Sequence, residues 1–436
     1  MKITSIKAWQ IFDSRGLPTV EAEVTLASGA RGLGLVPSGA STGQFEAREL
    51  RDGDPGRFRG KSVFKAIDHI ENEISRALCC GSAFDQAELD RRLIELDGTP
   101  NKSRLGANAI LAVSMAAAKA AAAEQKEPLY SYLGQGNGSL IPIPEIQIVG
   151  GGAHANWRTD LQDVLLIATG ARTFEEAVEV THNVYHAAGD ILRSRGKYFG
   201  IADEGGFWPE FERNEDALEL VVEAICRSGY TPGRDACIAL DIAASDLFDE
   251  TTSRYRFNLE NREFTSSEFC ALTVDWIHRF PIISIEDPMA DTDLEGWREI
   301  ANSLGESIQI VGDDLFTTNT QRIRKGIEAD LANAVLIKLN QIGTVTETIE
   351  AIRVTQAAGW APIVSARSGE TEDAFISHLC VATNAGQFKV GSFCRSERMV
   401  KWNEILRIER DLGTRATFAG FQSPALRRKD VKGEIP

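Results

Sequence analysis

Two alternations of apolar and polar residues open the chain. ITSIKAWQIF and TVEAEVTLAS each place apolar side chains two apart, and DSRGLP lies between them. This pattern predicts two strands joined by a turn. RGLGLVPSGASTG follows, and its Gly, Ser and Thr content predicts a loop. From Lys61 the period becomes helical, in SVFKAIDHIENEISRAL and FDQAELDRRLIEL. GANAILAVSMAAAKAAAAEQ predicts a helix of small residues that packs closely against a neighbour.

After Pro142 the rhythm changes. PEIQIV, VLLIA, YFGIAD, ACIALDI, IISIED, IQIVGDD, AVLIKLN, PIVSA and FKVGS alternate with amphipathic segments such as FEEAVEVTHNVYHAAGDILRS and NEDALELVVEAICRS. Continuous apolar strands separated by helices predict a parallel sheet covered by helices, an α/β arrangement. Eight or so such units over roughly 290 residues suit a closed (β/α) barrel better than an open sheet. The break falls near residues 135–142, where GQGNGSLIPIP supplies Gly and Pro. The chain is therefore divided into residues 1–138 and a barrel over residues 139–436.

Composition narrows the function. Of 436 residues, 63 are acidic and 47 basic, for a net charge of −16. Such a surface repels phosphate backbones, so no nucleic-acid partner is expected. No run approaches the ~18 apolar residues of a membrane span, so no membrane partner is expected either. The N-terminus lacks the apolar core of a signal peptide. The seven cysteines are scattered without metal-finger spacing. They read as reduced thiols of a cytoplasmic protein.

The charges at the ends of apolar runs carry the chemistry. Asp241 closes ALD, Glu286 and Asp287 close IISIED, and Asp313 and Asp314 close IQIVGDD. In a barrel, the C-terminal ends of strands form the active-site face. One such acid alone reads as a helix cap or a solvated loop residue. Three on nearby strands converge like charges, which is costly without a cation. All-oxygen ligation points to Mg²⁺. Lys338 and Lys389 lie at the same level. A lysine near Mg²⁺ and a second lysine has its charged form disfavoured and can serve as a base. Together these groups suit proton abstraction beside a metal-held carboxylate. ADEGGF supplies Glu204, LQD supplies Gln162 and Asp163, and GGGAHA supplies His154. Arg367 and Ser368 in ARSGETED read as an anion clamp.

FDSRGLPTVE, PSGASTG, ELDGTPNKSRLGANAIL, GGAHA, DEGGF, ALDIAAS, PIISIEDP, VGDDLF, IKLNQIGT and RSGETEDAFI stand in this order along the chain. In these segments the chain resembles the enolase family over its whole length. The resemblance implies an N-terminal α+β domain, an eight-stranded (β/α) barrel, a homodimer or higher homo-oligomer, and two Mg²⁺ ions. It implies loss of water from a small phosphorylated or phosphono 3-hydroxy acid. By the same resemblance Asp241, Glu286 and Asp313 hold the first metal, and Ser41 joins the phosphate in holding the second. Lys338 takes the α-proton, and Lys389 pairs with the substrate carboxylate. Glu204 protonates the departing hydroxyl, with Asp163 beside it. Gln162, Arg367 and Ser368 contact substrate, and His154 rides on a mobile loop.

Departures from the family pattern gather on one side. Ala366 stands where enolases carry histidine, and Asp163 where they carry glutamate. Gly150 replaces an asparagine, Trp208 an alanine, and the loop ANWRTD is bulkier than usual. Retained metal ligands with an altered leaving-group side suggest an enlarged 2-phosphoglycerate analogue. An example is 2-phosphonoformylglycerate, converted to carboxyphosphonoenolpyruvate, with Ala366 leaving the room. Ordinary dehydration of 2-phosphoglycerate is the alternative, with Trp157 or Trp208 filling the gap. A non-catalytic binding protein is the third reading, opposed by the intact Lys338, Lys389 and Glu204.

Overall fold

The computed structural model describes residues 1–40, 43–420 and 426. It opens with an antiparallel sheet of β1 (Ile3–Phe12), β2 (Pro18–Leu26) and β3 (Arg31–Leu35). The first two form the expected hairpin, with Phe12 opposite Pro18. The third corrects the reading of RGLGL as loop. Its glycines are there for a close approach. A Cβ on Gly32 would lie 2.1 Å from the Ala116 carbonyl oxygen, and one on Gly34 would lie 2.2 Å from that of Ala112. Both carbonyls belong to α1 (Ala107–Gln125), the small-residue helix, which does pack closely against a neighbour. Strand and helix meet backbone to backbone because neither brings bulk to the contact.

Eight strands close the barrel: β4 (Ile143–Gly150), β5 (Asp163–Ile167), β6 (Cys237–Asp241), β7 (Ile282–Glu286), β8 (Gln309–Gly312), β9 (Ala334–Ile337), β10 (Ala361–Ser365) and β11 (Gln387–Ser392). Each matches an apolar run of the sequence. The ninth run, YFGIAD, is not a strand. Tyr198 and Phe199 are exposed, Gly200 takes a φ of 150°, and only Ile201 bridges to Phe207.

The sheet is not wholly parallel either. β5 runs antiparallel to both β4 and β6. Residues 151–162 link β4 to β5 with one short turn, Gly152–Ala155, and no covering helix. The chain therefore folds straight back, as a hairpin does, and α2 (Phe174–Ser194) and α3 (Glu215–Arg227) both fall between β5 and β6. The reversal brings the start of β5, rather than its end, to the C-terminal face of the other strands. Asp163, its first residue, reaches the mouth for that reason.

Polar side chains occupy part of the barrel interior. Gln309 and Gln387 exchange amide hydrogen bonds at 3.0 and 2.8 Å, and Gln309 also donates to Ser284. All seven cysteines are free thiols. Among the described residues, no helix is long and apolar enough to cross a membrane.

Candidate active site

Asp241 and Glu286 are the last residues of β6 and β7 and lie opposite each other in register, and Asp313 follows β8 directly. All three are buried. Lys389, on β11, donates to Asp241 Oδ2 at 2.8 Å and to Glu286 Oε2 at 2.7 Å. Lys338, just past β9, donates to Asp313 Oδ2. Gln162 donates to Asp241 at 3.1 Å, and Gln341 to the free oxygen of Asp313 at 2.7 Å. The sequence brought these groups to one face, and the structure brings them into contact.

The two ammonium groups stand among the three acids, Lys389 against Asp241 and Glu286 and Lys338 against Asp313. The carboxylates set the direction of both lysines' shifts. Burial lowers the Lys338 pKa, but the adjacent Asp313 carboxylate outweighs it and holds it above the ordinary value. Lys389 is raised well above its ordinary value by Asp241 and Glu286, again against burial. Buried carboxylates need positive charge from some source, and here the lysines supply it.

The donor set still fits a hard divalent cation. Oε1 of Glu286 is buried with no hydrogen-bond partner among the described residues. Burial, and then the Asp241 carboxylate, push the Glu286 pKa well up. An unpartnered carboxylate oxygen beside a second carboxylate is a site short of positive charge. Among the described residues, two groups of side chains offer ligand atoms within 4.8 Å of one another: His154, Asp163 and Glu204, and Asp287, Asp313 and Asp314. Asp287 is already engaged, accepting the backbone N–H groups of Asp313 at 2.9 Å and Asp314 at 2.8 Å. It fixes the chain that presents Asp313.

Opposite lies the acid side. Asp163 Oδ1 is 3.4 Å from His154 Nδ1, and its Oδ2 is 3.9 Å from Lys389. Burial raises the Asp163 pKa, with His154 pulling the other way. Glu204 is equally buried, yet Arg398, His154, Lys389 and Lys338 together bring its pKa below the ordinary value. The two neighbouring acids are thus shifted in opposite directions, Asp163 upward and Glu204 downward. The His154 pKa is lowered by burial and raised by Asp163, and the net shift is upward.

The anion clamp is engaged within the protein. Arg367 makes paired hydrogen bonds with Glu46 at 3.0 and 3.1 Å and donates to Asn340 at 2.8 Å. Ser368 Oγ accepts the Ala40 N–H at 2.6 Å and lies 3.4 Å from Arg15 Nη1. Glu46 and Arg15 come from the N-terminal part of the chain and were not singled out in the sequence. Their segments, GQFEAREL and FDSRG, show no pattern that marks them as facing Arg367 and Ser368. Ser41 lies outside the described residues.

Ala366 lines the mouth beside Arg367 and Ser368, with His154, Glu204 and the two lysines. Neither Trp157 nor Trp208 fills the place of the missing histidine. Trp157 is exposed, and Trp208 packs against Arg158, whose guanidinium carbon is 5.3 Å from the ring centre. The free space among the lining side chains is about 20 Å³. That is room for one water molecule.

Comparison with known proteins agrees with the architecture. Residues 3–133 match the model of the enolase N-terminal domain, and residues 138–426 that of the enolase C-terminal TIM barrel domain. A protein named Enolase 1 from Desulfitobacterium hafniense (strain Y51) is 56% identical over 418 residues, spanning 96% of this chain and 95% of that one. The chain belongs to the enolase family of hydro-lyases.

Proposed function

We propose that the protein dehydrates a small 2-phospho-3-hydroxy acid of the 2-phosphoglycerate type, giving phosphoenolpyruvate. The observation that carries this is the mouth itself. Two lysines, Lys389 buried and Lys338 partly buried, face three strand-end carboxylates, and a paired Asp163 and Glu204 stand opposite. Asp241, Glu286 and Asp313 would hold one Mg²⁺, and Ser41 with the substrate phosphate a second. When bound, these ions supply the positive charge that stabilises a substrate carboxylate losing its α-proton, and they relieve the lysines of neutralising the acids.

The protein's own groups then divide the work. Lys338, freed from Asp313, takes the α-proton. Lys389 orients the substrate carboxylate, with Gln162 beside it. The Asp163–Glu204 pair delivers a proton to the departing hydroxyl. Arg367 and Ser368 exchange Glu46 and Ala40 for the phosphate, and His154 closes from its loop. A cytoplasmic homodimer belongs to the same proposal, on family grounds.

A second reading keeps this chemistry and enlarges the substrate, as with 2-phosphonoformylglycerate. Ala366 favours it, since no aromatic group occupies the histidine's place. One assay separates the two: phosphoenolpyruvate formation from 2-phosphoglycerate, followed in the ultraviolet, beside exchange of the α-proton with solvent. A rate on the order of 10–100 s⁻¹ supports the ordinary substrate. A rate about two orders of magnitude lower, with exchange running ahead of dehydration, supports the enlarged one. Absence of both activities, with either substrate, defeats catalysis altogether.

A further inference from the structure

Two departures on the acid side meet at one side chain. β4 and β5 pair with Gly150 opposite Asp163 and Gln147 opposite Leu165. Gln147 is fully buried. Its Nε2 donates to Asp163 Oδ1, and its Oε1 accepts the Gly206 N–H at 2.7 Å. Both ends of the amide are in use, so its orientation is set. Gly206 lies two residues beyond Glu204, on the loop that presents that acid. Space around the amide is fully taken. A Cβ on Gly206 would lie 2.6 Å from Gln147 Oε1. A Cβ on Gly150 would lie 2.6 Å from the Ala202 Cβ and 3.2 Å from Gln147 Nε2.

We infer that Gln147 is a positioning residue for proton delivery, matched to the shortened Asp163 and to the absence of a side chain at Gly150. Asp163 is one methylene short of the family's glutamate, and the Gln147 amide meets it. The same amide ties Asp163 to the Glu204 loop, so one side chain sets the spacing of the two acids. Gly150, where the family has asparagine, leaves the amide its place. The inference rests on reading Asp163 and Glu204 as the proton-delivering pair.

The pairing makes the obvious reversion harmful. Asp163→Glu alone drives an extra methylene into an amide that cannot retreat, because its oxygen is held by Gly206. Net dehydration should fall about 10- to 100-fold. Gln147→Asn alone withdraws the amide from at least one partner and should cost a similar factor in kcat, with KM little changed. Exchange of the α-proton, which depends on Lys338, should stay within about threefold of the unaltered protein in Gln147→Asn. The double variant, Gln147→Asn with Asp163→Glu, should recover most of the loss, because coupled neighbours are non-additive. The same cycle read by thermal unfolding needs no turnover, and there too the double variant should be more stable than the single losses sum to.

The inference is overturned if Gln147→Asn dehydrates at the unaltered rate, or if Asp163→Glu alone matches or exceeds it. It is equally overturned if exchange and dehydration fall together in Gln147→Asn, which is what a merely structural role would give, or if the unfolding cycle is additive. If the unaltered protein neither exchanges nor dehydrates, the proposed reaction fails. The unfolding cycle then still decides whether Gln147 and Asp163 are coupled.

Discussion

The two sides of the barrel mouth are built on different principles. On the metal side, Asp241, Glu286 and Asp313 stand at or one residue past the ends of three consecutive parallel strands. Strand register alone brings them level. On the acid side, Asp163 starts a reversed strand, and His154 and Glu204 come from loops. Their spacing depends on side-chain contacts, above all that of Gln147. This is also the side that departs from the family. A group placed by strand register cannot be moved without rebuilding the sheet. One placed by an amide and two loops can shift, provided its neighbours shift with it.

Lys338→Ala tests the metal side most severely. It should lower α-proton exchange at least about 10³-fold, the scale of a lost general base. Exchange by solvent isotope uptake measures this directly. Stabilisation by Mg²⁺ should survive, because Lys338 is not a ligand. Exchange at the unaltered rate would move the base to another group and erase the division drawn here.

Metal removal comes next. Chelation should abolish both exchange and dehydration. Added Mg²⁺ should raise the unfolding temperature, by about 2.7 kcal/mol of stability at a hundredfold excess over its Kd. The unpartnered oxygen of Glu286 is the reason to expect this even though the lysines already neutralise the acids. Glu286→Gln should remove most of the shift. A full shift in that variant would place the ion elsewhere.

On the acid side the effects should be smaller. Ala366→His should raise turnover of 2-phosphoglycerate by about tenfold and keep most of the Mg²⁺ stabilisation, since Asp241, Glu286 and Asp313 are unaltered. A fall in turnover would mean that the space beside Arg367 is too small for an imidazole in any working conformation. Steady-state kinetics with 2-phosphoglycerate and a phosphonoformyl analogue would show both sides of the exchange.

The contrast between the sides also accounts for what could be read from the sequence. The apolar runs with acids at their ends were legible because strand period and strand end are local features. The direction of β5 was not, since VLLIA reads the same whether a strand runs up or down. RGLGL reads as a loop because its glycines answer to α1, whose first residue lies far along the chain. Glu46 and Arg15 reach Arg367 and Ser368 across more than 300 residues of sequence. Gln147 sits in an ordinary apolar run and acquires its meaning only from the folded chain beside it. The lowered lysine basicity expected beside a bound cation belongs to the loaded site, whereas among the carboxylates alone both lysines shift upward.

The last effect expected concerns stability rather than turnover. Glu145 lies on β4 two residues before Gln147 and is fully enclosed, and its Oε1 has no hydrogen-bond partner among the described residues. Burial pushes its pKa up to about 7, with Lys389 pulling it down and Asp241 adding to the rise. An unfolded glutamate titrates near 4.5. Between those two values the unfolded chain gives up the proton while the folded chain keeps it. Stability should therefore fall as pH rises from about 4.5 to about 7, and level off above. The accumulated cost is about 3 kcal/mol, at ~1.4 kcal/mol per unit of displacement. Glu145→Gln keeps the shape and removes the charge, so the variant should gain on the unaltered protein across this window. Denaturant unfolding at pH 5 and pH 8 measures it: the gap between variant and parent should be small at the lower pH and widest at the higher. A gap of the same size at both would mean that the carboxylate is ionised inside the barrel throughout. Lys389 would then be serving Glu145 as well as the acids at the mouth.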